Sequence, residues 1–74
     1  MMQRLSRAAR RALELLYAWG GDRSGDFEDE IGCHGAACDA VIDSLERRGL
    51  VTFAPDGTTP VTDAGRRALL AGVK

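Results

Sequence analysis

Leu45-Glu46-Arg47-Arg48-Gly49-Leu50-Val51 ends one helix and opens an extended segment; Ala54-Pro55-Asp56-Gly57 and then Val61-Thr62-Asp63-Ala64-Gly65-Arg66 follow it. Gly49 stops the helix, because a residue without Cβ enters the left-handed conformation at little cost. Leu50 to Phe53 reads as a strand, Pro55-Asp56-Gly57 as turn chemistry and Thr58 to Val61 as a returning strand. Pro60 has no amide hydrogen, so the returning strand is expected at an edge. Thr62 stands where it would cap a last helix from Asp63 to about Ala71, with Ala64, Ala68, Leu69 and Leu70 available for packing.

Upstream, Leu5, Ala9, Ala12, Leu13 and Leu16 recur at helical spacing and predict a first helix from about Arg4 to Trp19, ended by Gly20-Gly21. Ala8, Leu15 and Trp19 form a second apolar row, which widens the core stripe or supplies a subunit interface together with Tyr17. Asp26 is the expected N-cap of a short second helix, Phe27 to Ile31, whose first-turn acids Glu28, Asp29 and Glu30 suit the helix dipole. Gly32 permits a sharp turn into a third helix from near Gly35 to Arg48. Cys38, Val41, Ile42 and Leu45 form that helix's core stripe, and Asp43 stands four residues before Arg47.

With 74 residues, the sequence has room for one domain, 1–74. A chain of this size buries only about 60–65% of its unfolded surface, so its core is thin. No apolar run approaches the ~20 residues of a membrane span, and the Met1-Met2-Gln3-Arg4 start has no secretory character. A cytoplasmic setting is expected, where Cys33 and Cys38 stay reduced.

Net charge is −1, but the charges are segregated along the chain. Residues 1–23 hold five arginines against Glu14 and Asp22. Residues 24–46 hold Asp26, Glu28, Asp29, Glu30, Asp39, Asp43 and Glu46 and no Lys or Arg. Residues 47–74 are again basic, with Arg47, Arg48, Arg66, Arg67 and Lys74 against Asp56 and Asp63.

The motifs resemble the winged helix-turn-helix superfamily, and within it MarR-like small prokaryotic regulators, over about residues 5–72. Ile31-Gly32-Cys33 lies at the family's apolar-glycine-apolar turn, Leu45 to Val51 at its helix-to-wing junction, and Val61 to Arg66 at the start of its closing helix. The resemblance implies a mainly α fold with a three-helix core, a two-stranded β-hairpin wing and a C-terminal helix. It also implies a small transcriptional regulator that binds double-stranded DNA as a homodimer, joined through the first or the closing helix. The third helix would then lie in the major groove. Carried onto this sequence, the base-reading positions are His34, Gly35, Ala36, Ala37, Asp39, Ala40 and Asp43. Arg47 and Arg48, with Arg4, Arg7, Arg10 and Arg11 on the first helix, would contact phosphates.

The third helix departs from the family pattern. Base readout favours Arg, Lys, Asn or Gln, and none of these occurs between Ser24 and Glu46. The alternative expectation is a protein-interaction module, an adaptor, inhibitor or DNA mimic, in which Asp39, Asp43 and Glu46 meet a basic partner. Cys33, His34 and Cys38 fall short of the four ligands of structural zinc, so the cysteines read as core residues, with a redox pair as the alternative. No cofactor, metal, membrane or catalytic constellation is expected.

Overall fold

The computed structural model describes residues 5–72, so Arg4 lies outside the described residues. Among the described residues four helices account for the regular structure: α1 (Arg7–Ala18), α2 (Phe27–Ile31), α3 (Ala36–Arg47) and α4 (Asp63–Gly72). Helix α1 starts later than its apolar pattern suggested because Ser6 caps it, the hydroxyl accepting from the Ala9 amide at 3.1 Å. Its end is closed by the Trp19 amide on the Leu15 carbonyl and the Gly21 amide on the Leu16 carbonyl, both at 2.8 Å.

Helix α2 has the expected bounds, but the Asp26 side chain makes no capping bond. Gly32 ends it in the left-handed region, φ 75°, which turns the chain toward α3. Helix α1 packs against each of the other three helices. It brings Ala9, Ala12, Leu13, Leu15 and Leu16 to a core completed by Phe27 and Ile31 of α2, Cys38, Ile42 and Leu45 of α3, Val51, and Leu69 of α4. Leu13, Leu16, Phe27, Ile42 and Leu45 are fully buried, and each contributes about 1.5–3 kcal/mol before chain entropy is counted. Trp19 seals the α1–α2 end edge-on to Phe27, ring centres 6.2 Å apart.

The expected two-stranded wing is absent, and with it the winged helix-turn-helix architecture: among the described residues there is no β-strand, only one antiparallel bridge between Val51 and Val61. The amides of Thr52 and Thr62 frame that bridge by donating to the carbonyls of Pro60 and Leu50, each at 3.0 Å. The next non-hydrogen-bonded pair in this register, Phe53 and Thr59, needs the Thr52–Pro60 and Ala54–Thr58 positions to complete their bonds on either side of it. One is made, from the Ala54 amide to the Thr58 carbonyl at 3.0 Å. The other requires an amide hydrogen at residue 60, which proline lacks. The Thr59 amide turns away and donates to the Gly21 carbonyl at 2.8 Å, so Thr59 is buried under the α1–α2 loop. Residues 50–62 are therefore a hairpin-shaped loop laid against a helical core.

Candidate interaction surface

Helices α2 and α3 meet at Gly32 and present their acids outward because Phe27, Ile31, Cys38, Ile42 and Leu45 turn the opposite faces into the core. The first contact between them concerns the N-terminus of α3. The Gly35 amide donates to Glu28 Oε2 at 3.2 Å, so a carboxylate of the chain itself occupies the position where a helix N-terminus would receive a phosphate. His34 is exposed and its Nε2 lies 2.7 Å from Asp29 Oδ1. That hydrogen bond, with the charge of Asp29 and Glu28 behind it, holds the imidazole above its ordinary value.

Of the arginines expected at phosphates, Arg10, Arg11 and Arg47 are instead paired within the chain. Arg11 reaches Glu30 at 2.8 Å and Glu14 at 3.6 Å, and Arg10 reaches Glu14 at 3.5 Å. Arg47 pairs with Asp43 at 2.9 Å across one helical turn, Arg47 largely exposed and Asp43 about half exposed, so this pair contributes little to stability. Asp39 and Glu46 make no ion pair among the described residues, nor does Arg7. Arg48 is exposed at the end of α3.

Gly35, Ala36, Ala37, Asp39 and Ala40 are exposed along the first turns of α3, and Asp43 is half-buried. The structure thus groups the expected α3 positions on one face, while the α1 arginines Arg10 and Arg11 are tied to acids on α1 and α2. Beside the α3 face lies an open groove of about 470 Å³, walled by Asp39, Ala40 and Asp43, with Ile42, Arg23 and Phe53 completing it. Phe53 stands 48% exposed. Neither Arg23 nor Phe53 was singled out by the sequence as a site residue. No local signal marks them, since they reach the groove from two different loops.

Cys38 is buried and Cys33 half-buried, both as free thiols. Burial, then the charges of Glu28 and Asp39, push the Cys38 thiol up, which disfavours the thiolate a redox switch needs. Among the described residues no group of three His, Cys, Asp or Glu side chains is placed to hold a metal, and no helix is long and apolar enough to cross a membrane. Comparisons with protein-family models, curated proteins and solved structures return no match.

Proposed function

We propose that this chain is a non-catalytic interaction module of the cytoplasm that receives a basic protein partner on the outward face of α2 and α3. The closure of the α3 N-terminus by Glu28 carries the reading. A phosphate brought there would meet a carboxylate already seated on the amide, whereas a cationic partner meets Asp39 and Glu46 without first breaking an ion pair. Salt-dependent capture is the signature of such a face. Self-association through α1 or α4 belongs to the same proposal, supported by Tyr17 and Leu70, which are 53% and 65% exposed on those helices.

A second reading, duplex DNA, draws on Arg7, Arg66 and Arg67, which make no ion pair among the described residues. One experiment separates the two. The purified chain is titrated with a fluorescent Lys/Arg-rich peptide and with a random duplex, at low and at high salt. Binding of the peptide that weakens with salt and disappears on combined Asp39→Lys, Asp43→Lys and Glu46→Lys substitution, with the helical circular dichroism kept, is the expected result. A shifted duplex with no peptide binding overturns it in favour of DNA.

A further inference from the structure

We infer that the basic partner received by the acidic face is a second copy of this chain, whose α4 seats Leu70, flanked by Arg66 and Arg67, in the open groove beside α3; the inference rests on the reading above. Each half of that contact is exposed. On α4 the side carrying Gly65 and Leu69 is buried, which leaves Leu70 65% exposed, more than any other large hydrophobic among the described residues. Arg66 and Arg67 stand one helical turn before it, and side chains at those spacings are neighbours on a helix. The outward side of α4 is therefore an apolar point bordered by two cations. Both arginines are exposed and make no ion pair among the described residues.

The groove suits that surface. Arg23 lines it with Asp39, and Asp43 already holds Arg47, so charge inside it is balanced and what it offers an occupant is apolar: Ala36, Ala40, Ile42 and the half-exposed ring of Phe53. The backbone around Phe53 is fixed on both sides, by the Thr52 amide on the Pro60 carbonyl and the Ala54 amide on the Thr58 carbonyl, each 3.0 Å, so ordering it on contact costs little. One turn beyond Asp43 on α3 stands Glu46, exposed and without an ion pair among the described residues. A leucine in the groove with arginines outside it reproduces the usual anatomy of an interface, apolar at the centre and charged at the rim, and the opposite charges of the two surfaces steer the encounter. Within one chain α4 packs on α1 and Leu70 is not part of the groove lining, so the contact joins two copies. A symmetric pair of α4 helices would instead bring four arginines together. Because the joined surfaces are unlike, each pair keeps one groove and one α4 open, and association continues past the dimer unless a ring closes.

The test is sedimentation of the full chain and of two variants that each block one half of the contact. Leu70→Glu replaces the leucine of α4 by a carboxylate, and Phe53→Lys puts a cation in the groove that the α4 arginines approach; both positions are exposed, and unchanged helical circular dichroism and urea midpoints exclude unfolding. The parent should form species larger than a dimer as concentration rises, and less of them at high salt. Each variant alone should associate at least about tenfold more weakly. Their equimolar mixture should form a one-to-one pair that grows no further, because the groove of the Leu70→Glu chain accepts the α4 of the Phe53→Lys chain and the remaining halves are blocked. Arg66→Glu combined with Arg67→Glu, and Glu46→Lys alone, change only exposed charges and should weaken the parent's association as well. A parent that stays monomeric up to about 1 mM, variants that associate like the parent, or a dimer that mixing does not restore overturns the second-copy contact. The Lys/Arg-rich peptide, titrated into Leu70→Glu, separates that failure from failure of the reading beneath it. Peptide binding without self-association overturns the second copy and leaves the acidic face standing, and absence of both overturns both.

Discussion

The hydroxyl of Thr62 donates to the Gly49 carbonyl at 2.6 Å and accepts from the Gly65 amide at 3.1 Å. One side chain therefore joins the end of α3 to the first turn of α4. The Thr62 amide adds a third bond, to the Leu50 carbonyl at 3.0 Å. The chain enters and leaves the 50–62 loop through this clasp, so the position of Phe53 beside α3 depends on it.

Thr62→Val keeps the branched shape and removes both hydroxyl bonds. Loss of the cap costs about 1 kcal/mol, and loss of the bond to Gly49 about 0.5–1.5 kcal/mol more. The urea midpoint should fall accordingly at unchanged slope, while Thr62→Ser should stay within about 0.5 kcal/mol of the parent. Equal midpoints for the two variants would show that the clasp contributes nothing.

Gly65 is buried where α4 crosses the start of the loop, and a Cβ there would meet the Leu50 carbonyl oxygen and Val61 Cγ1, the latter at 2.7 Å. Helix propensity favours Gly65→Ala by up to about 1 kcal/mol. Overpacking opposes it by about 1–3 kcal/mol. The oxygen is backbone, already bonded to the Thr62 amide, so it yields only by loosening the clasp. Net destabilisation is expected, measured as a lower thermal midpoint; a raised midpoint would show that propensity wins.

Pro60→Ala tests why no strand forms. The substitution supplies the amide hydrogen that faces the Thr52 carbonyl and completes a second bridge, Phe53 with Thr59. A new slowly exchanging amide at residue 60 is expected. The gain of about one net hydrogen bond is offset by the larger entropy of the unfolded chain, so stability should change by less than about 1 kcal/mol. A rapidly exchanging amide at that position would mean that the loop's shape, not the missing donor, ends the pairing.

These cases separate what was legible in the residues from what was not. The bounds of α2, the stop at Gly49 and the cap at Thr62 depend on neighbours within a few positions, so local chemistry reveals them. Ser6 was equally local: its hydroxyl caps α1, and the apolar pattern alone carried the helix too far toward the N-terminus. The wing failed for a different reason. Alternation and turn residues describe where strands could run, but pairing needs each donor in turn, and Pro60 removes a decisive one. The outward placement of Asp39, Asp43 and Glu46 follows from the α3 core stripe. The Glu28 contact with Gly35, the Arg11 contact with Glu30 and the arrival of Phe53 at the groove depend on how separate elements approach each other, which no local spacing encodes.

His34 and Asp29 make the surface of α2 and α3 sensitive to pH. The bond to Asp29 raises the folded-state pKa of the imidazole above the ordinary 6.5. A raised folded-state value means the stabilising contribution is complete below the unfolded value and is lost as pH rises through the folded one. Nuclear magnetic resonance titration of the ring should therefore show a midpoint above 6.5, and Asp29→Asn should move it down toward that value. The urea midpoint of the parent relative to Asp29→Asn should be higher in mildly acidic than in mildly alkaline solution. An unchanged ring titration in Asp29→Asn would assign the raised value to the surrounding acids collectively, Glu28 first among them, and not to this one bond.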